Sequence, residues 1–186
     1  MRIISGILKG RSIKFLKNFN TRPLKDNVRE NIFNILKHSS LIKTKIENSN
    51  IIDLYSGTGS FGIECISRGA EKVTFIENDI KASKILKENL VQLSIINKTK
   101  IHRDMIEHVL TKVINDKFDI FFLDPPFSDL AFLQNIELIK NKKIFKKNHI
   151  IIIHRETNSR DEFKNLLDVI ETKIYGRSKI IFGEIK

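Results

Sequence analysis

The chain of 186 residues, 41% of them hydrophobic, can bury one sizeable core and is short for two. It has no run of about 18 apolar residues to span a bilayer, and its start, MRIISGILKGRSIKF, mixes charge where a secretory signal carries an apolar stretch. A lone Cys65 excludes an intramolecular disulfide and the scattered histidines give no zinc-type ligand set, so a cytoplasmic globular domain without metal is expected.

The formal charge of +11 is unevenly placed: residues 1–45 hold eleven Lys or Arg against two acids, and the rest of the chain carries 22 basic and 20 acidic groups. A basic segment joined to a nearly neutral body suggests an arm, 1–45, that meets a polyanion, because each neutralised phosphate releases condensed counterions. Taken alone, a Lys-rich composition that keeps a small protein soluble accounts for the charge equally well. Within the arm, Arg2–Ile4 and Arg11–Phe15 flank a Gly6–Gly10 turn and predict a small hairpin. A helix is expected from Lys25 to His38, behind Pro23, with Val28, Ile32, Phe33, Ile35 and Leu36 on its apolar face. The polar run ENSN at 47–50 is the one linker candidate before the main body, 46–186.

From there short β-branched runs alternate with helical stretches, the pattern of a parallel sheet with crossover helices. Strands are expected at Asn50–Leu54, Lys72–Glu77, Thr99–Arg103, Phe118–Leu123 and His149–His154, several as unbroken apolar runs suited to cover on both faces. Helices are expected at Ser60–Arg68, Ile80–Ile95, Met105–Val113, Asp129–Lys140 and Ser159–Leu167, with cap candidates at Asn78, Asp79, Asp104, Ser128 and Asp129. The tail Asp168–Ile185 reads as two strands about a YGRS turn, an antiparallel hairpin at the sheet edge.

Two motifs carry chemistry. In IIDLYSGTGSFG, residues 51–62, a strand runs into a turn whose glycines at 57, 59 and 62 let the backbone approach a nucleotide-like ligand. Asp53 ends that strand and suits a ligand with a cationic amino group, which S-adenosylmethionine has and NAD lacks. Glu77 ends the next strand, where a carboxylate accepts hydrogen bonds from ribose hydroxyls. In FFLDPPF, residues 121–127, Pro125 and Pro126 stop the fourth strand and leave the Asp124 carboxylate beside a proline carbonyl. Two such acceptors can grip the N–H bonds of a base's exocyclic amine and localise its lone pair, while Phe127 stacks on the base.

An Asp-Pro-Pro-aromatic motif after a DxxxGxG turn resembles the class I amino-methyltransferases. Outside those motifs the chain resembles the bacterial RsmD-type enzymes, which methylate a guanine N2 in 16S ribosomal RNA. The matching stretches run from Arg2 to Gly6 with Lys9, Gly10 and Arg11, through Arg22 and Pro23, then Asp26, Val28, Arg29, Glu30, Ile32, Phe33 and Asn34, then both motifs with Ile76 and Glu77, to Tyr175 and Gly176. The resemblance implies a Rossmann-like sheet of seven strands, mostly parallel with an antiparallel last strand. It implies S-adenosylmethionine held by Asp53, Tyr55, Gly57, Gly59, Glu77 and Asp104, with Asp104 at the adenine amino group. It implies the target amine at Asp124, Pro125, Pro126 and Phe127, and RNA contacts from Lys9, Arg11, Arg22 and Arg29. The implied substrate is 16S ribosomal RNA or a small-subunit assembly intermediate, met by a monomer. Leu24 departs from the family's pattern, which has a small hydroxyl residue after Arg-Pro, and the arm is richer in Lys than in Arg.

Cys65 reads as a core filler. His102, His149 and His154 read as structural, and the lysines at 140, 142, 143, 146 and 147 as a solvated loop. The alternatives are an adenine-N6 methyltransferase on DNA or RNA, which shares the acceptor geometry, an NAD-dependent oxidoreductase, which leaves Asp53 and the DPPF motif unexplained, and a nucleic-acid-binding protein without catalysis.

Overall fold

The computed structural model describes residues 1–16 and 24–186. Its strands are β1 (Asn50–Asp53), β2 (Lys72–Ile76), β3 (Thr99–His102), β4 (Phe118–Leu123), β5 (Phe145–Glu156), β6 (Leu167–Tyr175) and β7 (Ser178–Ile185), forming one seven-stranded sheet in the order β3-β2-β1-β4-β5-β7-β6. The first five are parallel, β7 is antiparallel to β5, and β6 is antiparallel to β7. This is the expected sheet, and the tail forms the expected hairpin about Gly176 and Arg177.

Alternation along each strand sends Ile51, Phe122, Ile150 and Ile152 to one face and Ile52, Phe121, Ile151 and Ile153 to the other. The first face is covered by α1 (Asp26–His38), α2 (Ser60–Ser67) and α3 (Ile80–Gln92), with Phe61 stacked between Phe33 and Phe122 at centroid distances of 5.2 and 3.9 Å. The second is covered by the short α4 (Ile106–His108), the turn Val109–Val113 and α5 (Ala131–Lys142), through Val109, Leu110, Phe132, Ile136 and Ile139. Each fully buried side chain of this size contributes about 1.5–3 kcal/mol. Asp79 caps α3 as expected, accepting from Ala82 N at 2.7 Å.

The N-terminal arm packs on the same core. Ile3, Leu8 and Ile13 join the cluster of α1 and α2. The buried Glu64 carboxylate accepts the backbone N–H groups of Ile4 and Ser5 at 2.8 and 2.9 Å and the guanidinium of Arg68 at 2.9 Å. The expected hairpin is present but short: Ile3 N bonds to Arg11 O, Gly10 N to Ile3 O and Ile13 N to Met1 O about an antiparallel Arg2–Ser12 bridge, and it goes no further because the N–H groups of Ile4, Ser5, Ile7 and Leu8 bond to α2.

Several expectations are corrected. Residues 159–167 form no helix: their apolar spacing yields one turn, with Leu166 and Leu167 N bonded to Phe163 O, before β6 begins, and Asp161 points back to Arg155. The helix expected at Met105–Val113 is short and widens into a π-turn at Val109–Val113, whose end is capped by Lys142 donating to the carbonyls of Thr111 and Ile114. β5 starts at Phe145, so Lys146 and Lys147 lie in a strand, Lys146 paired with Asp119 at 2.7 Å. The run at 47–50 is no linker, since Asn48 N bonds to Gly69 O, Ser49 is buried and Asn50 opens β1.

Candidate active site

Strand β1 pairs with β2 on one side and β4 on the other, so the order reverses there and a crevice opens at the carboxyl ends of β1 and β4. A cavity of about 590 Å³ fills it, within the ~300–1,000 Å³ typical of small-ligand sites. Asp53, Gly57 and Glu77 line one part of it, and Asp124, Pro125, Pro126 and Phe127 another.

On the β1–β2 side, the loop after Asp53 turns through Gly57 at φ 53° and Gly59 at φ 90°, a region that favours glycine. A Cβ on Gly59 would lie 2.4 Å from Leu86, whereas one on Gly57 would meet nothing within 4 Å, which leaves room for a ligand against the loop. Gly57 N donates to Glu77 Oε2 and Asp79 N to Oε1, each at 2.7 Å, which fixes the carboxylate at the cavity edge. Burial pushes the Glu77 carboxyl up, against those two donors.

Asp53 is 1% exposed. Burial, then the nearby Asp124, raises its pKa well above the usual carboxylate range, against the Gly62 N–H that reaches Oδ2 at 3.3 Å. Its Oδ1 is buried and accepts no hydrogen bond among the described residues. A cationic group entering the cavity would supply the missing partner, as the amino group of S-adenosylmethionine requires, so the residues present fit that donor. Tyr55 is also at the cavity, its hydroxyl accepting from Asn135 at 3.1 Å and raised in pKa chiefly by burial. Asp104 does not line the cavity: it accepts from Met105 N at 2.7 Å and meets His108 Nδ1 at 2.6 Å, and that imidazole contact lowers its pKa.

On the β4 side, Asp124 Oδ1 lies 2.8 Å from His154 Nδ1, and His154 Nε2 lies 2.9 Å from Ser178 Oγ. If the carboxylate is ionised and can only accept, Nδ1 carries the proton. Asp124 Oδ2 and the Pro125 carbonyl accept no other hydrogen bond among the described residues, so two acceptors remain beside the cavity. Phe127, 36% exposed, stands edge-on to His154 at the cavity wall.

The arm residues divide. Lys9 and Arg11 are exposed, and Arg22 lies outside the described residues. Arg29 is corrected: it is fully buried, donating to Arg2 O at 2.7 Å and Asp26 Oδ1 at 3.0 Å, so it is not available to a phosphate. Cys65 is buried in α2, and burial pushes its thiol up, so it offers no thiolate. His154, read from the sequence as structural, and Arg155, not singled out there, both stand beside the site. The available signal was an ionisable pair at the carboxyl end of an otherwise apolar strand next to β4.

The family described as Conserved hypothetical protein 95 matches residues 1–184. The Ribosomal RNA small subunit methyltransferase D of Buchnera aphidicola is 40% identical over 83% of this chain and 77% of its own length. This chain belongs to that family. The Haemophilus influenzae member is 34% identical over 84% of this chain and 79% of its own. A solved Escherichia coli protein, yhhF, named as a candidate methyltransferase, superposes with a TM-score of 0.85 at 25% identity, covering 100% of this chain and 98% of that one. Family membership makes the chain a methyltransferase and removes the oxidoreductase and non-catalytic alternatives.

Proposed function

We propose that this chain transfers a methyl group from S-adenosylmethionine to the exocyclic N2 amine of a guanine in small-subunit ribosomal RNA. The observation that carries the reading is one cavity bounded by the buried Oδ1 of Asp53, unpartnered among the described residues, and by acceptors of Asp124 and Pro125 that no described residue occupies. The RNA substrate follows from the names of the relatives, which are small-subunit ribosomal RNA enzymes.

When bound, the donor supplies an electrophilic methyl group on a sulfonium. Asp53 holds its amino group, Glu77 its ribose, and Gly57 and Gly59 let the backbone approach it. An aromatic amine is a poor nucleophile because its lone pair is delocalised into the ring. Asp124 Oδ2 and the Pro125 carbonyl accept its two N–H bonds and aim the lone pair, and Phe127 stacks on the base. The proton that the amine must lose on methylation would pass to the Asp124 carboxylate, whose Oδ2 faces it. The base must leave its helix or arrive in a single strand to reach this cavity. Residues 1–45 form the RNA-contacting extension of a catalytic body, 46–186, with Lys9 and Arg11 as phosphate contacts.

Asp124→Ala tests the role assignment. Single-turnover methyl transfer is expected to fall about 100-fold or more, with no loss of donor affinity by calorimetry, because the glycine loop is untouched and removing the nearby Asp124 charge favours the ionised form of Asp53. An unaltered rate would remove Asp124 from the chemistry.

A further inference from the structure

We propose that Arg155, paired with Asp161, is the positioning residue that fixes the amine-gripping loop; the proposal rests on the role given above to Asp124 and Pro125. Arg155 is 1% exposed and its partner's side chain 2%, so both charges lie inside the protein. Its Nε donates to Asp161 at 3.2 and 3.1 Å, Nη1 to the Pro126 carbonyl at 3.2 Å and Nη2 to the Phe127 carbonyl at 3.0 Å. The guanidinium lies 4.6 Å from the centre of the Phe132 ring of α5.

Fold stability alone does not call for this arrangement. A buried ion pair is commonly replaced by apolar side chains with no loss of stability. What an apolar pair does not do is hold two successive carbonyls in register, for which the planar fork of a guanidinium is suited. The loop needs such an anchor. Pro125 and Pro126 have no N–H, and among the described residues the only backbone bond to either is from Asp129 N to Pro126 O, at 2.9 Å. Arg155 ties back the carbonyls of Pro126 and Phe127, while its neighbour His154 holds Asp124 Oδ1. The acceptors left for an amine are then Asp124 Oδ2 and the Pro125 carbonyl. Displacing them by about 1 Å is enough to lower turnover ~100-fold.

Two variants test the clamp beside Asp124→Ala. Arg155→Lys keeps the cation beside Asp161 but cannot span both carbonyls. Arg155→Met with Asp161→Leu removes both charges and both anchors. Melting temperature, donor affinity and steady-state methyl transfer to small ribosomal subunits would be measured on the same preparations. We expect the double variant to melt near or above the wild type, donor affinity within about twofold, and kcat lowered roughly 10- to 100-fold in both variants with a smaller change in KM. Wild-type kcat in whichever variant folds, or a kcat loss matched by an equal loss of donor affinity, overturns the proposal. Loss of turnover in Asp124→Ala with normal turnover in the Arg155 variants removes the clamp alone. Normal turnover in Asp124→Ala removes the loop's chemical role and the clamp with it.

Discussion

Asp53 sits where an isolated carboxylate is unfavourable, and this has opposite consequences for the empty and loaded protein. An unfolded aspartate titrates near 3.9, and burial raises the folded value well above that. The folded state therefore keeps its proton as the unfolded chain releases its own. The fold loses stability as pH rises from about 3.9 through the raised value, and the penalty stays above it. Asp53→Asn should raise the melting temperature of the donor-free protein at pH 7. The same change should weaken S-adenosylmethionine about tenfold or more, since a hydrogen bond to a charged group is worth ~1.5–3 kcal/mol and 1.4 kcal/mol is tenfold. In the wild type, donor affinity should rise with pH as Asp53 ionises. Calorimetric affinity that is equal in the two proteins and flat with pH would take Asp53 out of the donor site. Asp53, Gly57, Glu77 and the DPPF run were legible because each belongs to a short contiguous motif at a strand end. Arg29 and Arg155 were not, because their partners at Arg2, Pro126 and Phe127 are distant in sequence and local spacing does not report burial.

At the scale of elements, β5 is the strand on which the site's support depends, and His149 ties it to the final strand. Its Nε2 accepts from Ile185 N at 2.8 Å, so Nδ1, 2.8 Å from the Lys146 carbonyl, carries the proton and the ring is neutral. Burial lowers its pKa below the ordinary value, against the Lys146 carbonyl. An unfolded histidine titrates near 6.5, so below that pH the unfolded chain takes up the proton first and stability is lost as pH falls toward the folded value. His149→Gln keeps a donor and an acceptor but does not titrate. Its melting temperature should fall less between pH 7 and pH 5 than the wild type's, with a residual slope from His102, also lowered chiefly by burial. Parallel melting curves would contradict this. Strand β4 was read to the residue and β1 and β2 to within one, because parallel strands covered on both faces are mostly apolar runs; the edge strand β3, TKIH and only partly buried, was also read to within one. The 159–167 stretch misled because Phe163, Leu166 and Leu167 have helical spacing. The start of β5 was hidden by its lysines, which reach solvent or pair from within a strand.

For the whole molecule, the charge asymmetry becomes a surface question. Lys9 follows Ile7 and Leu8, which bond to Ser67 at the far end of α2, and the eight residues of that helix put about 12 Å between Ser67 and the glycine loop. Under the proposed reading, RNA reaching both Lys9 and the cavity spans that distance, and neutralising Lys9 and Arg11 together should weaken RNA binding. The dependence of log Kd on log salt should flatten by roughly 0.7–0.9 for each phosphate that no longer meets a cation. An unchanged salt slope would move the RNA interface elsewhere. The identity of the product decides the proposed function. Its most direct measurement is methyl transfer from labelled S-adenosylmethionine to small ribosomal subunits, naked 16S RNA and DNA, followed by nucleoside digestion and mass spectrometry. N2-methylguanosine is expected from the ribosomal RNA substrates and no methylated base from DNA. N6-methyladenine from any substrate, or no methylated nucleoside from a preparation that binds the donor, would contradict the proposed function.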